Sequence, residues 1–455
     1  MSDALPVYTF FPGTHIIMQR ILGDRFREGE DMNKIMVSGG VELEGETHIQ
    51  GSKNAALPIM AAALLVPGVS VLENVPHIAD VECMCALLQR IGCRVSWQGE
   101  ELVIDAEDLR DSRLPKEYVT RMRSSVMLMG PVLGRLKEVS LSYPGGCVIG
   151  ERPIDLHLSM LRGLGVVCRD GPEGLDARAE RMQGGRLRLS FPSVGATENA
   201  VMAAVAAEGA TMLAGCAREP EIHWLCEFLR HAGADIREET GGVIRIRGGR
   251  PLQPCRFRIP SDRIVAGTYV CACLAAGGSI HLKEAPTQEL GALLEAAGRM
   301  GASFRQTGAG LLIWRKEGLR SPGAVETAAY PGFPTDLQSP LLAVMAEAAG
   351  AGSVEETIFS DRFRVAEELN RMGAGIRVEG NTAYVPGGRR LKGAGVLAQE
   401  LRGGAALVVA GLAADGITVV ENRHFIDRGY EDICRDLRDL GAQCAAGIRK
   451  QENDG

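Results

Sequence analysis

The chain of 455 residues has no excess of basic side chains: 50 Lys and Arg stand against 57 Asp and Glu, a formal charge of −7. A molecule so charged does not hold a polyanion by its bulk field. Nucleic acid is therefore excluded as a partner, and any phosphate must be gripped by a few local cations. Aromatic residues are few as well, at 5%; with 45% hydrophobic and 24% charged residues the balance is that of an ordinary soluble protein. No apolar run reaches membrane-spanning length, which excludes helical insertion. Residues 1–31 lack both the basic start and the long apolar centre of a signal peptide, and read as an extension outside the core, with Met32 as an alternative start. The 12 cysteines include no CxxC and no Cys/His ligand spacing; the closest pairs, Cys83/Cys85 and Cys271/Cys273, lie in apolar runs. Reduced core cysteines of a cytoplasmic protein look like this, and a metal centre is not expected.

What the chain does have is a repeat. Six segments end a helix in the same way: LLQRIGC, LRGLGVV, LRHAGAD, GRMGASF, NRMGAGI and LRDLGAQ. Their glycines, Gly92, Gly165, Gly233, Gly301, Gly373 and Gly441, are 73, 68, 68, 72 and 68 residues apart. Each fits the left-handed position that stops a helix. Ahead of each comes a second helix that is apolar nearly all round: NAALPIMAAALL, SSVMLMGPVL, TENAVMAAVAAE, AGTYVCACLAA, QSPLLAVMAEAA and GAALVVAGLAA. Such helices belong inside a domain. Short strands such as VSVLENV and ITVVENR join the two. The unit is strand–helix–strand–helix–strand. Three units can pack their apolar helices inward with the sheets outside, and six make two α/β domains. A solenoid would not demand a fully apolar helix in every repeat.

Chemistry-bearing residues stand out against this frame. In YPGGCVIGERPIDLH, Tyr143 to His157, Gly145, Gly146 and Gly150 free the backbone while Pro144 and Pro153 stiffen its ends. The segment carries a thiol (Cys147), a cation (Arg152) and a carboxylate (Asp155); read alone, it is equally a surface turn with an incidental cysteine. Lys53 and Asn54 open a buried helix, where an ordinary helix start is the plain reading and an anion for the lysine the other. Asp336 in GFPTDLQ stands at the mouth of an apolar helix, where an acid is usually a cap. Arg123, Arg362, Arg402 and Arg428, each alone, read as solvated arginines.

Taken together, the six repeats, GSKN after the first strand, PGGC followed by GERPIDLH, FPTD and a late DRGYE resemble the enolpyruvyl transferases of the EPSP synthase superfamily. Within them the likeness is to the branch that uses UDP-N-acetylglucosamine, and it runs from about residue 34 to about 447. It implies a two-domain inside-out α/β barrel built from six repeats, with an active site in the cleft between the domains. One domain spans 52–261; the other combines 32–51 with 262–450. The implied reaction moves the enolpyruvyl group of phosphoenolpyruvate to the 3′-hydroxyl of UDP-N-acetylglucosamine with release of phosphate, the first committed step of peptidoglycan synthesis, without metal or organic cofactor. Its addition and elimination need an acid near C3, a base near the hydroxyl, and cations for phosphate and carboxylate.

The resemblance assigns these roles residue by residue. Cys147 protonates C3, can form an adduct with phosphoenolpyruvate, and is the sulfur that the epoxide fosfomycin alkylates; Tyr143 to Pro153 is the lid that carries it. Lys53 and Arg152 meet the phosphate, with Asn54 as a hydrogen-bonding partner. Arg123, Arg152, Pro153, Ile154, Asp155 and Leu156 line the UDP-sugar, as do Ser193 and Val194. Asp336 is the base for the sugar hydroxyl, with Ile358 and Arg362 facing the sugar. Arg402 and Arg428 complete the cations around the carboxylate and phosphate of phosphoenolpyruvate. The chain departs from the family's commoner residues at Val265, Glu400, Phe191 and Phe425. Two alternatives are a paralogue with a different acceptor and a catalytically idle structural or regulatory paralogue. The second predicts loss of charged site residues, yet Lys53, Cys147, Arg152, Asp336 and Arg428 are all present.

Overall fold

The computed structural model describes residues 33–145, 154–172 and 174–446. The extension 1–31, and with it Cys147, Arg152 and Pro153, lies outside the described residues.

Six apolar helices form the interior: Lys53–Ala63, Met129–Leu136, Val194–Ala206, Arg263–Ala276, Gln338–Glu347 and Leu401–Ala413. The first is buried at every position from Ala55 to Ala63, and the last from Leu401 to Leu412. Over those two stretches no face meets water, so none calls for a polar stripe. Small residues let them pack closely. A Cβ added to Gly134 would stand 2.7 Å from the Ala206 Cβ and 2.9 Å from a Leu65 methyl. Each repeat's second helix is amphipathic instead, as in Ala79–Arg90, which buries Val81, Met84, Leu87 and Leu88. These helices stop at the six repeat glycines, whose φ lies between +89° and +110°. L-residues with a side chain rarely adopt that region, so the spacing of glycines marks out the repeats.

Among the described residues there are six sheets, three in each of two groups. Five have four strands, and the sixth, Glu138–Leu141, Gly174–Arg178 and Val167–Gly171, has three. In every four-stranded sheet one edge or connecting pair is parallel and the rest antiparallel, as where Leu43–His48 runs beside Gly278–Lys283. That parallel register, together with the antiparallel pairing of Lys34–Ser38 with Ile417–Glu421 and Gln443–Ala446, binds the start of the described chain to its later half.

The chain accordingly divides into two compact units. One is Gln50–Asp262 with Ala329–Pro331; the other takes the described residues before Gln50 together with Arg263–Ala328 and those from Gly332 onward. Among the described residues each has three inner helices, three sheets and its own apolar core.

One expected helix differs. SSVMLMGPVL forms a 3-10 turn, Arg123–Leu128, before the α-helix Met129–Leu136 begins. Pro131 has no N–H to give to a preceding turn, so it sits in the first turn of a new helix rather than inside a longer one.

Candidate functional site

In the unit Gln50–Asp262 the start of the first inner helix is held from below by the chain's own return. Gly51 pairs with Ser261, Ser52 N donates to Pro260 O (2.7 Å), and Asp262 N donates to Gln50 O (2.9 Å). The backbones approach so closely that a Cβ at Gly51 would stand 1.7 Å from Asn74 O, so only glycine fits. Ser52 caps the helix through Ala55 N (3.3 Å), and Lys53 N donates to the Asp262 carboxylate (3.0 Å). Lys53 is therefore no ordinary solvated helix start. Its ammonium, with the side chain 11% exposed, lies 2.7 Å from the nearly buried Asp80 carboxylate. One anion for this lysine is supplied within the unit, by a residue that sequence reasoning missed.

Arg123 opens the 3-10 turn Arg123–Leu128, and its charge acts on His157, the third residue of the helix Asp155–Gly163. Burial first, and then that charge, push the His157 imidazole down to about 4. Hydrogen bonding tells the same story. Asn199 accepts from Gly130 N (2.7 Å) and donates to Val126 O (3.1 Å), which orients its amide so that the NH2 meets His157 Nδ1 at 3.2 Å. Nδ1 must then accept, leaving the proton on Nε2. This neutral histidine joins the elements that bear Ile154, Asp155 and Leu156 to the start of the helix Val194–Ala206, capped by Ser193 through Ala196 N (3.4 Å). A Cβ at Gly195 would touch the His157 ring at 3.3 Å. Ile154 is buried, Asp155 exposed, and Leu156, Ser193, Val194 and Asn54 are half-buried.

In the other unit Asp336 lies in the 3-10 turn Thr335–Leu337, directly ahead of the helix Gln338–Glu347. It caps neither element. Instead Arg362 Nη2 donates to Oδ1 (2.6 Å), while Arg402 Nε and Nη2 both donate to Oδ2 (3.2 and 3.0 Å). The side chains of Arg362 and Arg402 are 2% and 3% exposed, against 26% for Asp336. The carboxylate thus forms the open side of a buried two-arginine cluster.

Arg402 is placed by the start of the inner helix Leu401–Ala413. Glu400 caps it, with Oε2 accepting from Arg402 N (2.8 Å) and Oε1 from Gly403 N. The acid at 400 is in this way tied to the backbone of the helix. Arg428 ends the 3-10 turn Arg423–Arg428. That turn packs on the same helix, for a Cβ at Gly404 would meet Ile426 Cγ1 at 2.7 Å. Ile358 is half-buried, and its N–H donates to Glu356 Oε1 (2.8 Å). Three of the residues singled out in the sequence, Asp336, Arg362 and Arg402, are therefore in direct contact. The departures also have places: Val265 is core, Phe425 packs against the core, and Phe191 is exposed.

The chain matches the family of EPSP synthase (3-phosphoshikimate 1-carboxyvinyltransferase) over residues 37–437. It is 43% identical over 411 residues to UDP-N-acetylglucosamine 1-carboxyvinyltransferase 2 of Caldanaerobacter subterraneus subsp. tengcongensis, covering 90% of this chain and 99% of that one. Identity is also 43% to UDP-N-acetylglucosamine 1-carboxyvinyltransferase of Oleidesulfovibrio alaskensis, with 90% and 98% covered. Among solved structures, the enolpyruvyl transferase NikO from Streptomyces tendae superposes with a TM-score of 0.81 at 25% identity, covering 92% of this chain and all of that one. EPSP synthase from Acinetobacter baumannii gives 0.69 at 17% identity over 90% of this chain and 99% of that one, a likeness of fold.

Proposed function

The chain belongs to the EPSP synthase family, and on that premise we propose that it transfers the enolpyruvyl group of phosphoenolpyruvate to the 3′-hydroxyl of UDP-N-acetylglucosamine, releasing phosphate, as a cytoplasmic enzyme that makes a peptidoglycan precursor. The relatives that share 43% of its residues over nearly their whole length carry that acceptor in their names.

The reaction follows from the groups. The sugar oxygen attacks C2 of phosphoenolpyruvate as its proton passes to the Asp336 carboxylate and C3 takes a proton from Cys147. C3 then gives a proton back to the Cys147 thiolate, the double bond re-forms, and phosphate departs with the C2–O electron pair. Lys53, Arg123, Arg152 and Arg428 balance the charge of phosphate and carboxylate, as Arg402 does from beside the base. Ile154, Asp155, Leu156, Ser193, Val194, Ile358 and Arg362 hold the UDP-sugar, with Pro153 and Asn54 beside them. Cys147, Arg152 and Pro153 carry their roles from sequence motifs alone.

The observation that supports this reading best is Asp336. A helix-cap aspartate would direct its oxygens at backbone N–H groups; this one directs them at two arginines and keeps an open side. A general base for a bound hydroxyl must be a carboxylate that the hydroxyl can reach, and Asp336 is the partly exposed member of its cluster. The test is phosphate release from phosphoenolpyruvate. It is expected with UDP-N-acetylglucosamine, not with shikimate 3-phosphate, and unchanged by a chelator. Equal turnover of the two acceptors, or loss of activity on chelation, overturns the assignment.

A further inference from the structure

Glu356 follows the strand Gly352–Glu355 and is 3% exposed, yet no cation stands among the partners of its side chain in the described residues. Four neutral donors hold it. Oε1 accepts from Thr327 Oγ1 (2.9 Å), Ile358 N (2.8 Å) and Phe359 N (3.1 Å), and Oε2 accepts from Thr335 Oγ1 (2.8 Å). Its backbone is fixed too, since Glu356 N donates to Asn381 O (2.8 Å) and Asn381 Nδ2 donates back to Glu356 O (3.3 Å). Thr327 adds a cross-brace by accepting from Thr357 N (2.9 Å) and from Thr357 Oγ1 through its own carbonyl (2.5 Å).

A buried carboxylate without a cation is costly, and a packed apolar residue would fill the place more simply. What distinguishes this one is where its four bonds lead. Oε2 reaches Thr335, the residue before Asp336. Oε1 reaches the turn of Ile358 and Phe359, and the Phe359 ring lies under Arg362, 5.6 Å from its Cζ. Arg362 in turn grips Asp336 and donates to Thr335 O (3.4 Å). One rigid side chain therefore spans the turn that carries the base and the turn that faces the acceptor.

We infer that Glu356 is the positioning residue that registers the acceptor's hydroxyl against its base: it sets the Asp336 turn at a fixed distance from Ile358 and Arg362. The inference rests on the function proposed above. Glu356 touches no reacting atom. Its effect is geometric, and small misplacements of a base weigh heavily on a proton transfer.

The test uses the full-length enzyme and Thr335→Val, Thr335→Ser, Glu356→Gln and the Thr335→Val/Glu356→Gln double variant, with kcat, both KM values and thermal midpoints. Thr335→Val removes only the bond to the base's turn. It is expected to lower kcat about tenfold with KM for phosphoenolpyruvate unchanged, and Thr335→Ser, which restores the hydroxyl, to recover most of it. Glu356→Gln keeps the Oε1 acceptor but puts an amide opposite the Thr335 hydroxyl, so it is expected to lower kcat as well. The double variant should then be no slower than the slower single one, because both act through one contact. Additive losses, or lowered thermal midpoints with kcat unchanged in Thr335→Val, would show a structural role and overturn the inference. If the unaltered enzyme fails to turn over UDP-N-acetylglucosamine, the proposed function itself has failed, and that control reads separately.

Discussion

An aspartate beside a helix start is usually a cap, and Asp336 is not one: it meets Arg362 and Arg402 instead. Replacing it with Asn keeps its size while removing both the proposed base and the countercharge of Arg362 and Arg402. Asp336→Asn is expected to lower kcat about 10²–10⁴-fold and to cost about 3 kcal/mol of stability, seen respectively in steady-state phosphate release and urea unfolding. Full activity would remove Asp336 from the base's role. The Cys147 thiol is the proposed acid. Cys147→Ser should nearly abolish turnover because a hydroxyl is a far weaker acid, whereas Cys147→Asp, a titratable donor, should keep measurable activity and escape alkylation by fosfomycin. Intact mass beside phosphate release reads both; modification of another cysteine, or an active Ser variant, contradicts the assignment. These residues could be picked out of the sequence because they sit in short motifs. Asp80 and Glu356 could not. Each is an acid in an unremarkable stretch, and what makes it matter is burial against a lysine or a turn far along the chain.

Among the elements, the inner helices and the glycines that stop their neighbours were readable because each is a local pattern with one physical cause: an unbroken apolar surface, and a positive φ. The break before Met129 is hidden in an unbroken apolar run, and only Pro131 marks it. The helix Asp155–Gly163 offers a pH test. His157 in the folded chain titrates at about 4 instead of its ordinary 6.5. Between those values the unfolded chain binds more protons, so the contribution is complete above pH 6.5 and is lost as pH falls towards 4. At ~1.36 kcal/mol per unit, the loss across the window is about 3 kcal/mol. Unfolding free energies at pH 7 and pH 5 should therefore fall more steeply for the unaltered protein than for His157→Gln. Equal slopes would show that the imidazole is not held neutral by its surroundings.

For the whole molecule, the division of the chain follows from strand pairing. Lys34–Ser38 and Leu43–His48 complete two sheets whose other strands come from residues 278–315 and 395–446. A chain starting at Met32 should keep its fold and turnover, while one starting at Gly51 should lose the second unit's cooperative unfolding, as differential scanning calorimetry would show. Inactivity of the longer chain would give residues 1–31 a part in the fold or the chemistry. The most direct test of enolpyruvyl transfer itself is to run the reaction in D2O and analyse the nucleotide product by mass spectrometry and NMR. Addition followed by elimination passes through a methyl group at C3, so the product should be UDP-N-acetylglucosamine bearing an enolpyruvyl ether on its 3′-oxygen, with deuterium in the vinyl group. A product substituted at another oxygen, or unaltered UDP-N-acetylglucosamine after phosphoenolpyruvate has been consumed, would contradict it.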